Sequence, residues 1–179
     1  MATAFDAAAY ILEKKGTLTG YQLQKLLYYS QVWHLVATGE PLFPERIVAY
    51  RHGPVVPDVS ICHQHKRWVH SEDIQGNTGN VGPRAACVID AVLSSYGDMS
   101  GEELEELSHS EEPWREYFNN QTGHESEEIP LESLANYYAG LWASDVRTRQ
   151  KHHVPKLPDG SRRYVSVEDY DWLSDMLEE

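Results

Sequence analysis

Basic residues are scarce in this chain: 15 Lys and Arg stand against 28 Asp and Glu, a formal charge of −13 over 179 residues. A surface that tracks phosphates needs clustered Lys and Arg, so the balance argues against nucleic acid and anionic membranes as partners. It suits a basic protein partner, whose approach it would accelerate. Cysteine is equally sparse. Cys62 and Cys87 alone build no disulfide framework, and we expect both to be reduced in a cytoplasmic protein. No apolar run approaches the ~18–20 residues of a membrane span, and the N-terminus lacks a basic segment leading into an apolar one, so neither insertion nor secretion is expected. Glycine and proline are few, 12 and 9, against 41% hydrophobic residues, which excludes a disordered chain. The length fits one ordinary domain, or a domain with a short appendage.

The stretch that stands out runs from Leu23 to Phe43 and on through Arg46 to Val59. Leu23, Leu26, Leu27, Ser30, Trp33 and Ala37 recur at the spacing of one helix face. Gly39 is free to take φ > 0 after the last turn, and Pro41 blocks continuation. Ile47–Tyr50 is strand-like, and Gly53-Pro-Val-Val-Pro57 reads as a rigid turn that stops it. Ahead of this stretch, a helix over Ala4–Lys15 carries a Thr3/Asp6 capping box, Gly16 ends it, and Thr19 caps the central helix.

Beyond it, Pro57 opens a helix expected to reach about Trp68. Residues 70–83 read as a long loop, with Asn77 and Asn80 suited to left-handed positions. Helices follow over Arg84–Tyr96, after the Ser100/Glu103 capping box, over Glu111–Phe118, and from Pro130 with the stripe Leu131, Leu134, Tyr138, Leu141 and Trp142. The fold class is mainly α: a compact bundle of six or seven helices with a short extended element around 47–56. Residues 1–146 form the domain. Residues 147–179 form an appendage, a basic linker and then a short acidic amphipathic helix.

No candidate chemistry in the sequence is compelling. Cys62, His63 and His65, with His70 and Cys87 further on, match no zinc spacing, and neighbours on a helix diverge by ~100°. A Cys–His nucleophile pair, Cys62 or Cys87 with His34 or His52, would need a stabilised thiolate that the acidic background does not supply. Cys87 is read as packed on a buried helix face. Glu102, Glu103, Glu105 and Glu106 read as a capped, solvated face. No metal ligand, catalytic residue or cofactor is assigned, and the expectation is a protein that is not an enzyme. Tyr and Trp are plentiful, and both are enriched at protein interfaces.

The residues Lys25-Leu-Leu-Tyr-Tyr-Ser-Gln-Val-Trp-His-Leu35, then Gly39-Glu-Pro-Leu-Phe43, Ile47–Tyr50 and His52-Gly-Pro-Val-Val-Pro57 resemble the Panacea domain, the SocA-like antitoxin-associated domain. Leu104, Leu107-Ser-His109, Glu112-Pro-Trp114 and Ile129-Pro130 continue the likeness, which covers about residues 4–142. The motif positions are Lys25, Leu26, Tyr28, Trp33, His34, Gly53, Pro54, Val55, Pro57 and Trp114. Ser30 stands where Ala is common, and Asp58-Val-Ser60 lacks the aromatic often found there. The resemblance implies a helical antitoxin of a prokaryotic or prophage toxin–antitoxin system that neutralises a neighbouring-encoded toxin by direct binding. The alternative it implies is an adaptor that delivers the toxin to a protease. A small metal-dependent enzyme, a DNA-binding autorepressor and a homo-oligomer stay open beside these. The expected toxin contacts are Tyr28, Tyr29 and Tyr50, read as exposed, with Tyr170, Trp172 and Leu173 of the tail filling a groove on the toxin.

Overall fold

The computed structural model describes residues 1–118 and 127–157. In chain order the elements are α1 (Ala4–Lys15), β1 (Leu18–Thr19), α2 (Gly20–Thr38), β2 (Val48–Tyr50), β3 (Gly53–Val55), α3 (Pro57–Cys62), β4 (Trp68–Val69), α4 (Pro83–Tyr96), α5 (Gly101–Ser110), α6 (Glu112–Tyr117), α7 (Leu131–Ala143) and α8 (Val146–Lys151). The class is mainly α, as the periodicities require. The capping boxes at Thr3, Thr19 and Ser100 all form, and Gly39 takes φ 76° to end α2.

α2 is the axis. It packs against α1, α4, α5, α7 and β3, and every residue from Leu23 to Ala37 is buried. The one-sided stripe expected of it is therefore too narrow, because a helix enclosed on all sides has no solvent face. Tyr28 and Tyr29 are fully buried, which corrects the expectation that they are exposed.

Three polar side chains of α2 fall inside this wall and reach the backbone of the segment that follows. Gln24 Oε1 accepts from Val56 N at 2.8 Å. Lys25 Nζ donates to Pro54 O at 3.2 Å. Gln31 accepts from Leu42 N at 2.8 Å and donates to Phe43 O at 3.0 Å. A buried backbone group without a partner costs about 1–3 kcal/mol, so these bonds anchor residues 42–56 to the helix.

Gly53-Pro-Val is not a stop but the return strand of a hairpin, with Val48 opposite Val55 and Tyr50 opposite Gly53. Residues 127–129 add a third short segment: Ala49 N donates to Glu127 O and Ile129 N to Ile47 O, both at 2.9 Å. α3 ends at Cys62, short of Trp68, because Trp68 and Val69 pair with Thr19 and Leu18 instead. That pairing joins positions some fifty residues apart and carries no local signal.

The loop expected over 70–83 holds two 3₁₀ turns, Ser71–Asp73 and Thr78–Asn80. Asn77 has φ −114°, not a left-handed value, and its side chain accepts from Gly79 N. Asp6 pins this loop to α1, accepting from Asn77 N at 2.8 Å and from Asn80 Nδ2 at 3.3 Å. Burial pushes the Asp6 pKa up, but these bonds together with those from Thr3 outweigh it and hold it below the usual range.

Cys87 is exposed rather than packed, and Cys62 is half-buried. Leu131, expected in the stripe of α7, is exposed. Part of the expected basic linker is helical: α8 is capped by Asp145, which accepts from Arg147 N and Thr148 N. Val154 and Leu157 pack on the core. The remainder of the appendage, with Tyr170, Trp172 and Leu173, lies outside the described residues. No helix among the described residues is long and apolar enough to cross a membrane.

Gly53 is doubly constrained. Its φ is +97°, and a Cβ there would sit 2.5 Å from Lys25 Cε. Gly53→Ala is expected to lower stability by at least about 2 kcal/mol, read as the shift in a urea unfolding midpoint. A loss under about 0.5 kcal/mol, the range of a neutral surface change, would show that the hairpin is not clamped in this way.

Candidate functional site

Two places bring chemistry-bearing residues together: a surface groove at the start of α2, and the polar interior behind it.

The groove encloses about 770 Å³. Its floor is set by the capping residues of two helices. Thr19 Oγ1 accepts from Gln22 N and Ser100 Oγ from Glu103 N, each at 3.2 Å, while Gln22 Nε2 donates to Met99 O at 3.1 Å and ties the two starts together. The opposite wall is the turn after α3, His63 to Arg67, followed by Trp68. Gly20 lets that wall close, since a Cβ there would lie 2.9 Å from His63 Nδ1.

His63 is buried, and burial pushes its pKa down. Gln24 settles its tautomer. With Gln24 Oε1 already accepting from Val56 N, its amide donates to His63 Nε2 at 2.9 Å, which leaves the proton on Nδ1. The rim is aromatic and charged. Tyr21 is 51% exposed and Trp68 49%, with the Arg67 guanidinium 5.8 Å above the Trp68 ring. Lys66 pairs with Asp73, Tyr21 meets His52 edge-on at 5.4 Å, and Ile61, next to the groove-lining Ser60, is 65% exposed. Large apolar side chains standing together in water mark contact surfaces.

Apart from Val55, the motif positions lie outside the groove and are structural in placement. Leu26, Tyr28 and Trp33 are fully buried, and His34 nearly so. His34 Nδ1 donates to Glu40 O at 2.8 Å and so fastens the turn after α2. Gly53 and Pro54 are buried under Lys25, Val55 lines the groove, and Pro57 opens α3. Trp114 stacks on His109 at 3.8 Å and on Phe118 at 4.6 Å, and its Nε1 donates to Tyr50 O at 2.8 Å. Of the three domain tyrosines expected to contact a toxin, Tyr50 alone is exposed.

The Cys/His cluster does not converge. His63 turns to Gln24, His70 to Thr17 at 3.0 Å, and no group of three or more His, Cys, Asp or Glu placed for a metal ion occurs among the described residues. Sequence reasoning missed Tyr21 as a surface residue, though it lies off the apolar stripe of α2, and counted Trp68 only among the surplus aromatics, each more readily core than interface. It also missed Glu111, which is fully buried.

The geometry defines a helical scaffold built around α2 that presents an open, aromatic-rimmed groove. The chain belongs to the family described as antitoxin SocA-like, Panacea domain, which its residues 23–115 match. No curated protein and no solved structure matches it. The matched span includes α2 from Leu23 onward, the hairpin, the groove residues from Gln24 to Glu102 and Trp114, while Thr19 to Gln22 of the groove precede it; family membership supports an antitoxin role in general terms.

Within that span Lys25 is fully buried. Burial holds its pKa down to about 8, with Glu105 opposing. The folded state then binds this proton less readily than the unfolded one, so stability rises with pH from about 8 up to the ordinary value of 10.5. Below that window both states are protonated and the full cost of burying the ammonium group remains. Between about pH 7.5 and about pH 9.5, wild type should gain on the order of 2 kcal/mol over Lys25→Met, as urea unfolding at the two values would show. Parallel behaviour of the two proteins would mean that the amine is not buried.

Proposed function

We propose that this protein is an antitoxin that neutralises a neighbouring-encoded toxin by direct protein–protein contact, acting by binding rather than catalysis. Membership of the antitoxin SocA-like family carries this reading. The groove between the start of α2 and the turn after α3 is the contact surface we assign to the described residues. Its exposed Tyr21 and Trp68 offer large, stiff contact area of the kind that dominates interface energetics. The net charge of −13 favours a basic toxin and speeds its capture, while specificity is left to the groove. Tyr50 belongs to the same proposal as a contact near the hairpin tip, and Tyr170, Trp172 and Leu173 as contacts from the tail.

Co-expression with the neighbouring gene tests the reading. Growth should recover and a stable complex should be isolated with the toxin at undiminished level. A toxin that disappears when this protein is present would favour the adaptor reading, and unrelieved growth arrest with no complex would end the antitoxin reading. For the groove, Tyr21→Ala combined with Trp68→Ala should leave the unfolding midpoint within about 1 kcal/mol of wild type and weaken toxin binding at least about tenfold, the loss expected of hot-spot residues. Unchanged affinity would place the contact face elsewhere.

A further inference from the structure

Behind the groove, a carboxylate is sealed inside the bundle. Glu111 joins α5 to α6, with φ −93° and ψ 141°, and that extended step turns its side chain inward, where it is fully buried. Its Oε2 accepts from Tyr29 Oη at 3.0 Å and from Tyr138 Oη at 2.6 Å. Tyr28 Oη lies 2.9 Å from Tyr138 Oη. A hydroxyl donates one proton, so with Tyr138 committed to Glu111, Tyr28 donates to Tyr138.

The other oxygen, Oε1, has no hydrogen-bond partner among the described residues. Among the described residues, the one basic group within ion-pair distance there is His152 Nδ1, at 3.6 Å, and it too lacks a hydrogen-bond partner among them. His152 is brought there by its own backbone: its carbonyl accepts from Tyr96 Oη at 3.0 Å, and Tyr96 Oη accepts from Trp33 Nε1 at 3.0 Å.

Among the described residues, the elements packed around Glu111 supply no other cation at that range. α2 presents Tyr28 and Tyr29, α4 Tyr96, and α7 Tyr137 and Tyr138. Burial and the Glu111 charge push the pKa of each tyrosine up, so all remain neutral. A carboxylate sealed in such surroundings is strongly disfavoured unless it is hydrogen-bonded and paired. The tyrosines satisfy one oxygen, and the other faces the imidazole. α8 itself buries no residue, so the chain around it depends on the short stretch that follows.

We propose that Glu111 and its collar of tyrosine hydroxyls form a buried site for a planar nitrogen cation, that the His152 side chain is its resident occupant, and that this pairing latches residues 146–157 onto the bundle. The latch is distinct from the groove, does not depend on the antitoxin reading, and is supplied from outside the family-matched span.

The test uses the full chain. His152→Ala should raise the rate of trypsin cleavage after Arg149 and Lys151 at least tenfold, with cleavage sites identified by mass spectrometry. Millimolar imidazole, but not equal sodium chloride, should restore slow cleavage. In the His152→Ala, Glu111→Gln double variant imidazole should have no effect. Wild-type cleavage rates in His152→Ala would overturn the latch. Rescue that persists without the Glu111 charge would reduce the site to a hole of the right shape and overturn the cation assignment. If His152→Ala does not fold, His152→Asn keeps a neutral donor near the Nδ1 position. Its cleavage should be faster than wild type and slow again when Glu111→Gln is added, because the uncompensated charge is then gone. An unchanged rate in His152→Asn alone, or no slowing on adding Glu111→Gln, overturns the proposal.

Discussion

Three buried polar side chains on one helix, Gln24, Lys25 and Gln31, hold together what the apolar core alone would leave loose. A helix buried on all sides cannot choose its neighbours by hydrophobicity, since every face is equally suited to any apolar partner. Hydrogen bonds are directional, and each of these three names one stretch of backbone: Val56 for Gln24, Pro54 for Lys25, Leu42 and Phe43 for Gln31. The hairpin therefore has one place to sit. Once it is there, Val55 and, past α3, the turn from His63 to Arg67 stand where the groove needs a wall.

The same helix carries a second polar layer toward its middle. Tyr28, Tyr29 and Trp33 fill volume with their rings and direct their polar tips at Tyr138, Glu111 and Tyr96. Tyr29 stacks on Tyr96 with centroids 4.3 Å apart. Aromatic residues suit this task because large apolar area and one hydrogen-bonding tip come in the same side chain. The interior is thus oriented by polar contacts as much as filled by apolar ones, and the surface is left free to vary without loosening the scaffold.

That separation bears on function. A binding protein needs a face whose residues are not already committed to the fold. Tyr21 and Trp68 meet this condition, standing half in water on a rim whose backbone is fixed by capping boxes and a two-residue strand pair. Tyr28 and Tyr29, about two turns further along the same helix, do not.

Much of the local architecture was legible in the chain. Thr3 with Asp6, Thr19, Ser100 with Glu103, Pro57, Gly16 and Gly39 marked helix ends where the structure has them, because caps depend on residues only a few positions apart. The family too was legible, from the order of its motifs around α2 and the hairpin. What needed the tertiary structure was everything set by distant partners. Periodicity shows that a helix has an apolar face but not how many neighbours surround it, so the burial of Tyr28 and Tyr29 was invisible. The strand pair of Leu18–Thr19 with Trp68–Val69 is too short for alternation to register, and Glu111 looks like any solvated acid until tyrosines from α2, α4 and α7 close over it. Sequence by itself determined the family and most of the helices with their capped ends, but neither the end of α3 at Cys62 nor the presence of α8. Packing alone decided which aromatics face water and which charge lies inside, because both depend on contacts between residues far apart along the chain.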